Sequence, residues 1–150
     1  MAKVYVTSIV DAPIEQVWEA VRDFNALPEW HPFVISSHIE DDLPSLMIGC
    51  VRNFQLKDSG DTIREQLLAL SDVEHSCTYS IVASPLPISN YVATFRLIKI
   101  TTTNQTFGEW QAAFDVSPAE EANAVELVTS VFVEGFSAIS ELLTTDSDRC

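Results

Sequence analysis

The sequence feature that most constrains the fold is one long amphipathic helix, predicted at the C-terminal end of a chain otherwise rich in strand-forming segments. Its start is marked by Ser117-Pro118-Ala119-Glu120, a capping box in which the Ser and Glu side chains bond free N–H groups of the first helical turn. Apolar residues then recur at intervals of three and four to about Leu143, roughly on one side. These residues are Val125, Val128, Val131, Phe132, Phe136, Ile139, Leu142 and Leu143. One helix is therefore left to cover the apolar surface that the strands present.

Gly135 lies inside this predicted helix, where glycine costs about 1 kcal/mol relative to alanine. Two interpretations remain open at this stage. Either the missing side chain leaves room for a ligand or a strand to approach, or the helix simply tolerates a packing glycine.

Seven segments before the helix are predicted as β-strands because they are rich in β-branched and aromatic residues. They cover residues 3–10, 34–40, 46–56, 62–71, 76–83, 91–101 and 106–116. Short links with turn-forming residues separate the last six, among them Lys57-Asp58-Ser59-Gly60-Asp61 and Ser84-Pro85-Leu86-Pro87. Because parallel strands need long crossovers, the short links predict an antiparallel meander.

Two short helices are predicted between the first and second strands. Asp11 or Ala12 lies near the N-cap of the first helix, and Pro13 fits its first turn, where a missing N–H costs nothing. A second short turn at residues 24–29 ends at Trp30-His31-Pro32, where an extended segment begins. The apolar stripe of the first helix consists of Ile14, Val17, Trp18 and Val21.

This order of elements indicates an α+β domain in which a seven-stranded, curved antiparallel sheet wraps one long helix. The length of 150 residues fits a single domain over residues 1–150. We expect its ordered core at about 3–144 and a flexible tail at 145–150. A sheet with one apolar face must cover that face, and one helix on a strongly bent sheet leaves a gap. The sequence therefore predicts an internal cavity, the usual kind of small-molecule site.

The charge balance disfavours several classes of partner. The chain has 8 basic and 22 acidic residues, a net charge of −14, which repels nucleic-acid phosphates and anionic membranes. The N-terminal segment lacks the apolar core of a signal peptide, and no apolar run reaches the about 18 residues that suggest a membrane span. Cys50, Cys77 and Cys150 are odd in number and widely spaced, unlike a disulfide framework or a zinc site. We therefore expect a cytoplasmic protein with reduced thiols, no nucleic-acid partner and no stable membrane insertion.

Residues for metal, cofactor or nucleophilic chemistry do not form known patterns. His31, His38 and His75 have no ligand-like spacing with one another or with acidic residues. The four glycines are dispersed, so there is no phosphate-binding loop, and no Gly-x-Ser-x-Gly elbow occurs. We expect no metal and no cofactor.

Alternation along the strands predicts which side chains face the interior. Arg52, Glu65 and Tyr79 are the polar candidates for an inward face, where they would orient a carboxylate, ketone or hydroxyl of a ligand, because a buried charge needs a partner. The alternatives are a structural Arg–Glu pair or side chains on the solvent face of a curved edge. His31, at the start of the second strand, is either an acid or base at the cavity rim or a residue that packs and caps a turn.

Several groups of residues also occur in a characteristic order along nearly the whole chain. They are Ile9-Val10-Asp11-Ala12-Pro13-Ile14-Glu15-Gln16-Val17-Trp18, Asp23-Phe24, Trp30-His31-Pro32, Gly49-Cys50-Val51-Arg52, Glu65-Gln66-Leu67-Leu68-Ala69-Leu70-Ser71-Asp72, Tyr79-Ser80-Ile81 and Pro85-Leu86-Pro87-Ile88-Ser89-Asn90-Tyr91. In this order and spacing, the groups resemble the START-like SRPBCC proteins and fit their polyketide cyclase/dehydrase-type branch.

The resemblance implies a helix-grip fold, shared with the birch pollen allergen, lipid-transfer START domains and plant abscisic-acid receptors. It also implies that loops 57–61 and 84–90 border the ligand and that Glu65 matches a polar pocket residue of the receptors. The first loop lacks the Gly-Leu-Pro of the receptor gate, and Pro85-Leu86-Pro87 lacks the His-Arg of the latch. The location of pocket and mouth is therefore carried over, whereas hormone sensing is not.

The favoured interpretation is a noncatalytic binder or carrier of a lipid-like, polyketide or aromatic molecule, acting as a monomer or homodimer. One alternative is a polyketide cyclase or dehydratase that uses the same cavity, with Glu65, Tyr79 or His31 moving protons. Another is an interaction module whose loops dock a partner. The residues predicted to contact the ligand are Trp30, Phe33, Arg52, Phe54, Glu65, Tyr79, Ile81, Pro87, Tyr91, Phe95, Trp110, Phe114, Phe132 and Phe136.

Overall fold

The strands and helices follow the predicted order in the computed structural model, which describes residues 1–148. Strand β1 is followed by two short helices, six further strands and one long helix, which confirms the predicted α+β architecture. The elements are β1 Ala2–Val10, α1 Ile14–Val21, α2 Leu27–Trp30, β2 Val34–Ile39, β3 Val51–Leu56, β4 Thr62–Ser71, β5 Ser76–Ala83, β6 Ile88–Ile100, β7 Gln105–Val116 and α3 Glu121–Asp148.

All seven strands form one antiparallel sheet in the order β1-β7-β6-β5-β4-β3-β2. Sequential neighbours pair from β2 to β7, as a meander requires, and β1 returns to pair with β7. Register shifts interrupt the pairing in β2, β4 and β6. Such bulges bend a strand and increase its twist, so they help the sheet to curve around the helix.

Helix α3 covers the concave face of the sheet with its apolar stripe. The buried side chains on it are Ala124, Val128, Phe132, Phe136, Ile139 and Leu143. They join a core that also contains residues of β1, β6, β7 and α1. Residues Glu121–Thr144 are also long and apolar enough for a membrane span, although no uninterrupted apolar run in the sequence has that length. Because this buried stripe packs into the domain, α3 is the core helix of the domain.

Five predicted boundaries need correction. Strand β6 begins at Ile88, where residue 91 was predicted. The third strand begins at Val51 and not at residue 46, because residues 46–50 form a loop in which Gly49 has φ of 95°. Helix α3 begins at Glu121, because Ser117 to Glu120 forms a turn closed by the Glu120 N–H on the Ser117 carbonyl at 3.0 Å. The first short helix has Pro13 itself as its N-cap, and the second covers Leu27–Trp30 where 24–29 was predicted.

The chain end follows a similar pattern. Helix α3 continues to Asp148, so residues 145–148 of the predicted tail are helical. Residues 149 and 150 lie outside the described residues. That the tail is flexible stays a prediction.

At Gly135, helix α3 lies close against the Trp110 side chain of strand β7. A Cβ atom placed on Gly135 would lie 2.7 Å from Cζ3 of Trp110 and 3.2 Å from Cδ2 of His31. Gly108 on β7 has the same role from the other side, since a Cβ atom there would overlap the Phe136 ring. Of the two interpretations of Gly135, the close approach of a strand residue is therefore the one that the packing supports.

Replacing Gly135 with alanine should lower the free energy of unfolding by about 1–3 kcal/mol, the usual cost of overpacking a core. This outcome is opposite in sign to the gain of about 1 kcal/mol that helix propensity alone predicts for the same change. Urea unfolding followed by tryptophan fluorescence measures it. Ser137→Ala is a matched control, because Ser137 is exposed on the same helix and should change stability by less than about 0.5 kcal/mol. A more stable Gly135→Ala variant would contradict the steric explanation.

Candidate functional site

A cavity of about 280 Å³ lies between α3 and the concave face of the sheet. Its walls are mainly apolar, and they come from α2 and the segment after it, from β2 to β7 with two of their loops, and from one stretch of α3. The lining residues are Leu27, His31, Phe33, Val34, Arg52, Phe54, Leu56, Asp58, Ser59, Ile63, Glu65, Tyr79, Ile81, Leu86, Ile88, Tyr91, Trp110, Leu127, Val128 and Val131. The volume is just below the usual range for small-molecule sites, about 300–1,000 Å³.

An ion pair between Arg52 and Glu65 forms the polar end of the cavity. The two residues are directly paired across β3 and β4, so their side chains lie on the same face of the sheet. Arg52 Nε donates to Glu65 Oε1 at 2.8 Å, and Arg52 Nη2 lies 2.6 Å from the same oxygen. Both residues are buried, 7% and 6% exposed. The pair compensates two charges that would otherwise be costly to bury.

The Arg52 guanidinium is also fixed by its surroundings. Its Nη1 donates to the Phe24 carbonyl at 3.0 Å. Its carbon Cζ lies 4.0 Å from the centroid of the Phe24 ring and 4.9 Å from that of Tyr79, within the range of cation–π attraction. Burial raises the pKa of the Glu65 carboxyl, and the adjacent guanidinium opposes this rise. Each of the three guanidinium nitrogens thus has a protein oxygen as a partner.

Tyr79, Tyr91 and Trp110 form an aromatic wall beside the ion pair. Trp110 Nε1 donates to the Tyr79 hydroxyl at 3.0 Å, and the Tyr79 and Tyr91 rings lie 6.4 Å apart. Burial raises the pKa of both tyrosine hydroxyls, with the charge of Glu65 adding to the rise. Both hydroxyls are therefore protonated at neutral pH and serve as hydrogen-bonding groups.

His31 lies at the cavity with both ring nitrogens already hydrogen-bonded. Its Nε2 is 2.9 Å from the Val131 carbonyl, and its Nδ1 accepts the Phe33 N–H at 3.2 Å. This pattern fixes the neutral tautomer with the proton on Nε2, since a carbonyl accepts and an N–H donates. Burial lowers the pKa of His31, which favours the same neutral form. The residue therefore ties α3 to the segment before β2, which is the packing role that the sequence left open.

The two loops singled out in the sequence stand at the rim of the cavity. Asp58 and Ser59 line it from the loop after β3, and Leu86 and Ile88 line it from the segment between β5 and β6. Leu127 of α3, 43% exposed, completes this side. Both loops that the resemblance placed at the ligand thus contribute residues to the cavity wall, and that they form its mouth stays a prediction.

Most predicted ligand-contacting residues lie on the cavity wall. The residues on the wall are Phe33, Arg52, Phe54, Glu65, Tyr79, Ile81, Tyr91 and Trp110, together with the acid–base candidate His31. Their contact with a ligand stays a prediction. Alternation identified the strand residues among them, because the concave face of the sheet is both core and cavity wall.

Six predicted residues do not line the cavity. Phe95, Phe132 and Phe136 pack against Trp110, whose centroid is 5.1, 4.5 and 5.8 Å from theirs, and Phe114 stacks on Tyr91 at 5.9 Å. These four rings are not among the lining residues and pack behind the wall, and their contact with a ligand stays a prediction. Trp30 packs beside the lining residues His31 and Trp110 but does not itself line the cavity. Pro87 lines a second, smaller depression of about 100 Å³ outside the main cavity.

Sequence reasoning missed much of the apolar lining. The lining residues that were not among the predicted contacts are Leu27, Val34, Leu56, Asp58, Ser59, Ile63, Leu86, Ile88, Leu127, Val128 and Val131. Four of them, Asp58, Ser59, Leu86 and Ile88, belong to the two loops that the resemblance placed at the ligand. Ile63 had a usable signal, because it lies two residues before Glu65 on the same face of β4. Leu56 had the same signal, two residues after Phe54 on β3. Val34 and Ile88 begin strands β2 and β6, and the remaining residues lie in loops and helices, where the sequence gives no face that distinguishes cavity wall from core.

Within residues 1–148, no group of three or more His, Cys, Asp and Glu side chains is arranged to hold a metal ion. The ion pairs and hydrogen bonds of the cavity are made among protein groups. The chemistry that these walls offer is therefore apolar contact along most of their length and a polar end formed by Arg52, Glu65 and the tyrosine hydroxyls.

Comparison with known proteins relates this geometry to a family. A family model described as polyketide cyclase / dehydrase and lipid transport matches residues 1–143. The abscisic acid receptor PYL7 of Arabidopsis thaliana is 31% identical over 84 residues, which is 55% of this chain and 38% of the receptor. The chain thus matches well under half the length of that curated relative.

Solved structures extend the likeness over almost the whole fold. The protein XoxI from Bacillus cereus has a TM-score of 0.85 at 31% identity, with 95% of each chain covered. A protein from Nitrosospira multiformis has a TM-score of 0.83 at 27% identity, covering 98% of this chain and 99% of its own. The helix-grip fold is therefore common to this chain and these solved structures.

Proposed function

Because the chain belongs to the polyketide cyclase / dehydrase and lipid transport family, we propose that it binds and carries a hydrophobic small molecule in the cavity beneath α3. The observation that carries the proposal is the cavity itself, about 280 Å³ with a mainly apolar lining. Apolar surface removed from water contributes roughly 25 cal/mol per Å². A lipid-like, polyketide or aromatic molecule would gain most from such walls.

The state of the polar residues favours a carrier over a cyclase or dehydratase. Proton transfer needs a group within reach of the substrate whose pKa lies near the working pH. Both ring nitrogens of His31 are bonded within the protein, the pKa of Tyr79 is raised by burial, and Glu65 is paired with Arg52. Each of the three candidates is thus engaged in supporting the cavity.

Filling the cavity from α3 should weaken binding of a neutral apolar dye. Val131 lines the cavity, and a tryptophan there occupies space that the dye needs, so we expect Val131→Trp to raise the Kd for N-phenyl-1-naphthylamine about tenfold, equivalent to about 1.4 kcal/mol. Fluorescence titration measures the Kd. Val133→Trp is the matched control, since Val133 is on the same helix but 47% exposed and should leave the Kd unchanged.

Native mass spectrometry of the purified protein provides a second test. We expect an apolar molecule to be retained by the wild type and to be reduced in Val131→Trp. Equal dye binding by wild type and both tryptophan variants would contradict a site in the cavity, and no dye binding by the wild type would contradict the carrier function.

We also propose that the protein acts in the cytoplasm. Cys50 and Cys77 are free thiols, and disulfides are rare in reducing compartments, which supports this location. Whether it acts as a monomer or homodimer stays a prediction, testable by light scattering of the purified protein.

A further inference from the structure

The ionisable groups of the cavity wall are unbalanced in charge. Of the described residues that line the cavity, Arg52 is the permanent cation, whereas Asp58 and Glu65 are carboxylates. His31 is held neutral by its two hydrogen bonds. The wall therefore carries net negative charge, as does the chain as a whole at −14.

Arg52 has little capacity left for an anionic ligand. Its Nε and Nη2 both contact Glu65 Oε1, and its Nη1 donates to the Phe24 carbonyl. The Phe24 ring covers the guanidinium at 4.0 Å from its carbon. A ligand carboxylate would have to displace Glu65 or lie beside it as a second buried negative charge, and an unpaired buried charge is strongly disfavoured.

Glu65 has one oxygen to offer to a ligand. Both Arg52 contacts go to Oε1, and among residues 1–148 no protein donor is hydrogen-bonded to Oε2. Trp30 Nε1 is the one fully buried side-chain nitrogen or oxygen in that part of the chain without a partner. Glu65 Oε2 also has no protein partner but is not fully buried. It is therefore in contact with the cavity space that Glu65 lines. An ionised carboxylate only accepts hydrogen bonds, so its partner must donate.

From this charge pattern we propose that the cavity selects apolar ligands whose polar end donates a hydrogen bond and carries no negative charge. Alcohols and amines fit this description, and carboxylic acids do not. The proposal rests on the binding function argued above and narrows it. The sequence led us to expect a carboxylate, a ketone or a hydroxyl as the polar group of the ligand. The proposal keeps the hydroxyl, excludes the carboxylate and the ketone, and includes amines.

A matched series of ten-carbon competitors tests the selection. Decan-1-ol, decylamine and decanoate share one chain and differ in the polar end, so each is titrated at neutral pH against bound N-phenyl-1-naphthylamine. We expect the alcohol and the amine to displace the dye at about tenfold lower concentration than decanoate, because only decanoate buries a second anion. Decanoate that competes as well as the alcohol, or an alcohol and amine that fail to displace the bound dye, overturns the inference and leaves the carrier function standing. Absence of dye binding overturns the carrier function.

Two variants assign the selection to particular carboxylates. Glu65→Gln leaves the Arg52 charge without its carboxylate partner. Decanoate should then displace the dye at about the same concentration as decan-1-ol, so that the tenfold preference disappears. A thermal melt with and without decanoate reports whether this variant folds.

Asp58→Asn removes a charge at the rim without touching the ion pair, and it should lower the decanoate concentration needed to displace the dye about twofold. Asp61→Asn removes the same charge from the same loop outside the lining residues and should leave the preference unchanged. Identical preference in all four proteins would contradict the role of wall charge.

Discussion

Replacing Arg52 with methionine should lower the free energy of unfolding by about 3–5 kcal/mol, the cost of leaving one partner of a buried ion pair alone. Methionine occupies much of the same space, so the loss comes mainly from the Glu65 carboxylate, which is 6% exposed and contacts Arg52 through Oε1. Urea unfolding followed by circular dichroism measures the change.

The double variant Arg52→Met/Glu65→Leu separates charge from packing. Replacing a whole buried pair with apolar residues is often neutral or stabilising, so we expect it to recover most of the loss in Arg52→Met. If the double variant is as unstable as the single one, the loss is due to the packing of the guanidinium on Phe24 and Tyr79 rather than to the charge.

The pH dependence of Arg52→Met provides an independent check. Burial raises the pKa of Glu65, and without the guanidinium nothing opposes that rise. A pKa that is higher in the folded than in the unfolded state contributes stability at low pH, and this contribution is lost as the pH rises through the folded-state pKa. Arg52→Met should therefore regain stability relative to the wild type as the pH is lowered from neutral. A deficit independent of pH would contradict this explanation.

The order of elements could be predicted from the sequence because it rests on local patterns. The limits of β4 and β5 follow from β-branched residues bounded by turns, and the stripe on α3 follows from a period of three to four. The start of β3 could not be predicted from the sequence, because Met47 and Ile48 are apolar yet 47% and 55% exposed. Their position depends on a loop after which Gly49 turns the chain at positive φ, and strand propensity does not register that geometry.

The polar end of the cavity was more predictable than its apolar walls. A buried arginine, glutamate or tyrosine on an inward strand face is uncommon enough to attract attention, and alternation gives the face. Which apolar residues line the space is decided by how far α3 lies from each strand. The rings of Phe132 and Trp110 stack with their centroids 4.5 Å apart and their planes 12° from parallel. Of these two rings, only that of Trp110 borders the cavity. No property of the two aromatic residues in the sequence distinguishes wall from support.

Replacing Phe132 with alanine should lower the free energy of unfolding by about 3–5 kcal/mol, the cost of deleting a fully buried phenylalanine. Phe132 is 0% exposed and stacks on Trp110, against which Phe95 and Phe136 also pack. Trp110 is part of the cavity wall and donates to the Tyr79 hydroxyl. Phe132→Ala should therefore change the shape of the cavity as well as lower the stability of the fold.

Thermal and urea unfolding give the stability, and the N-phenyl-1-naphthylamine titration gives the Kd of the folded variant. Phe107→Ala is the matched control, because Phe107 lies on the outer face of β7, half-buried and paired with Ile9 and Ile98. It should cost about 1 kcal/mol and leave the Kd unchanged. Equal destabilisation by the two variants would show that the ring behind the cavity wall has no special role. A Phe132→Ala variant with unchanged dye binding would show that Trp110 keeps its position without that support.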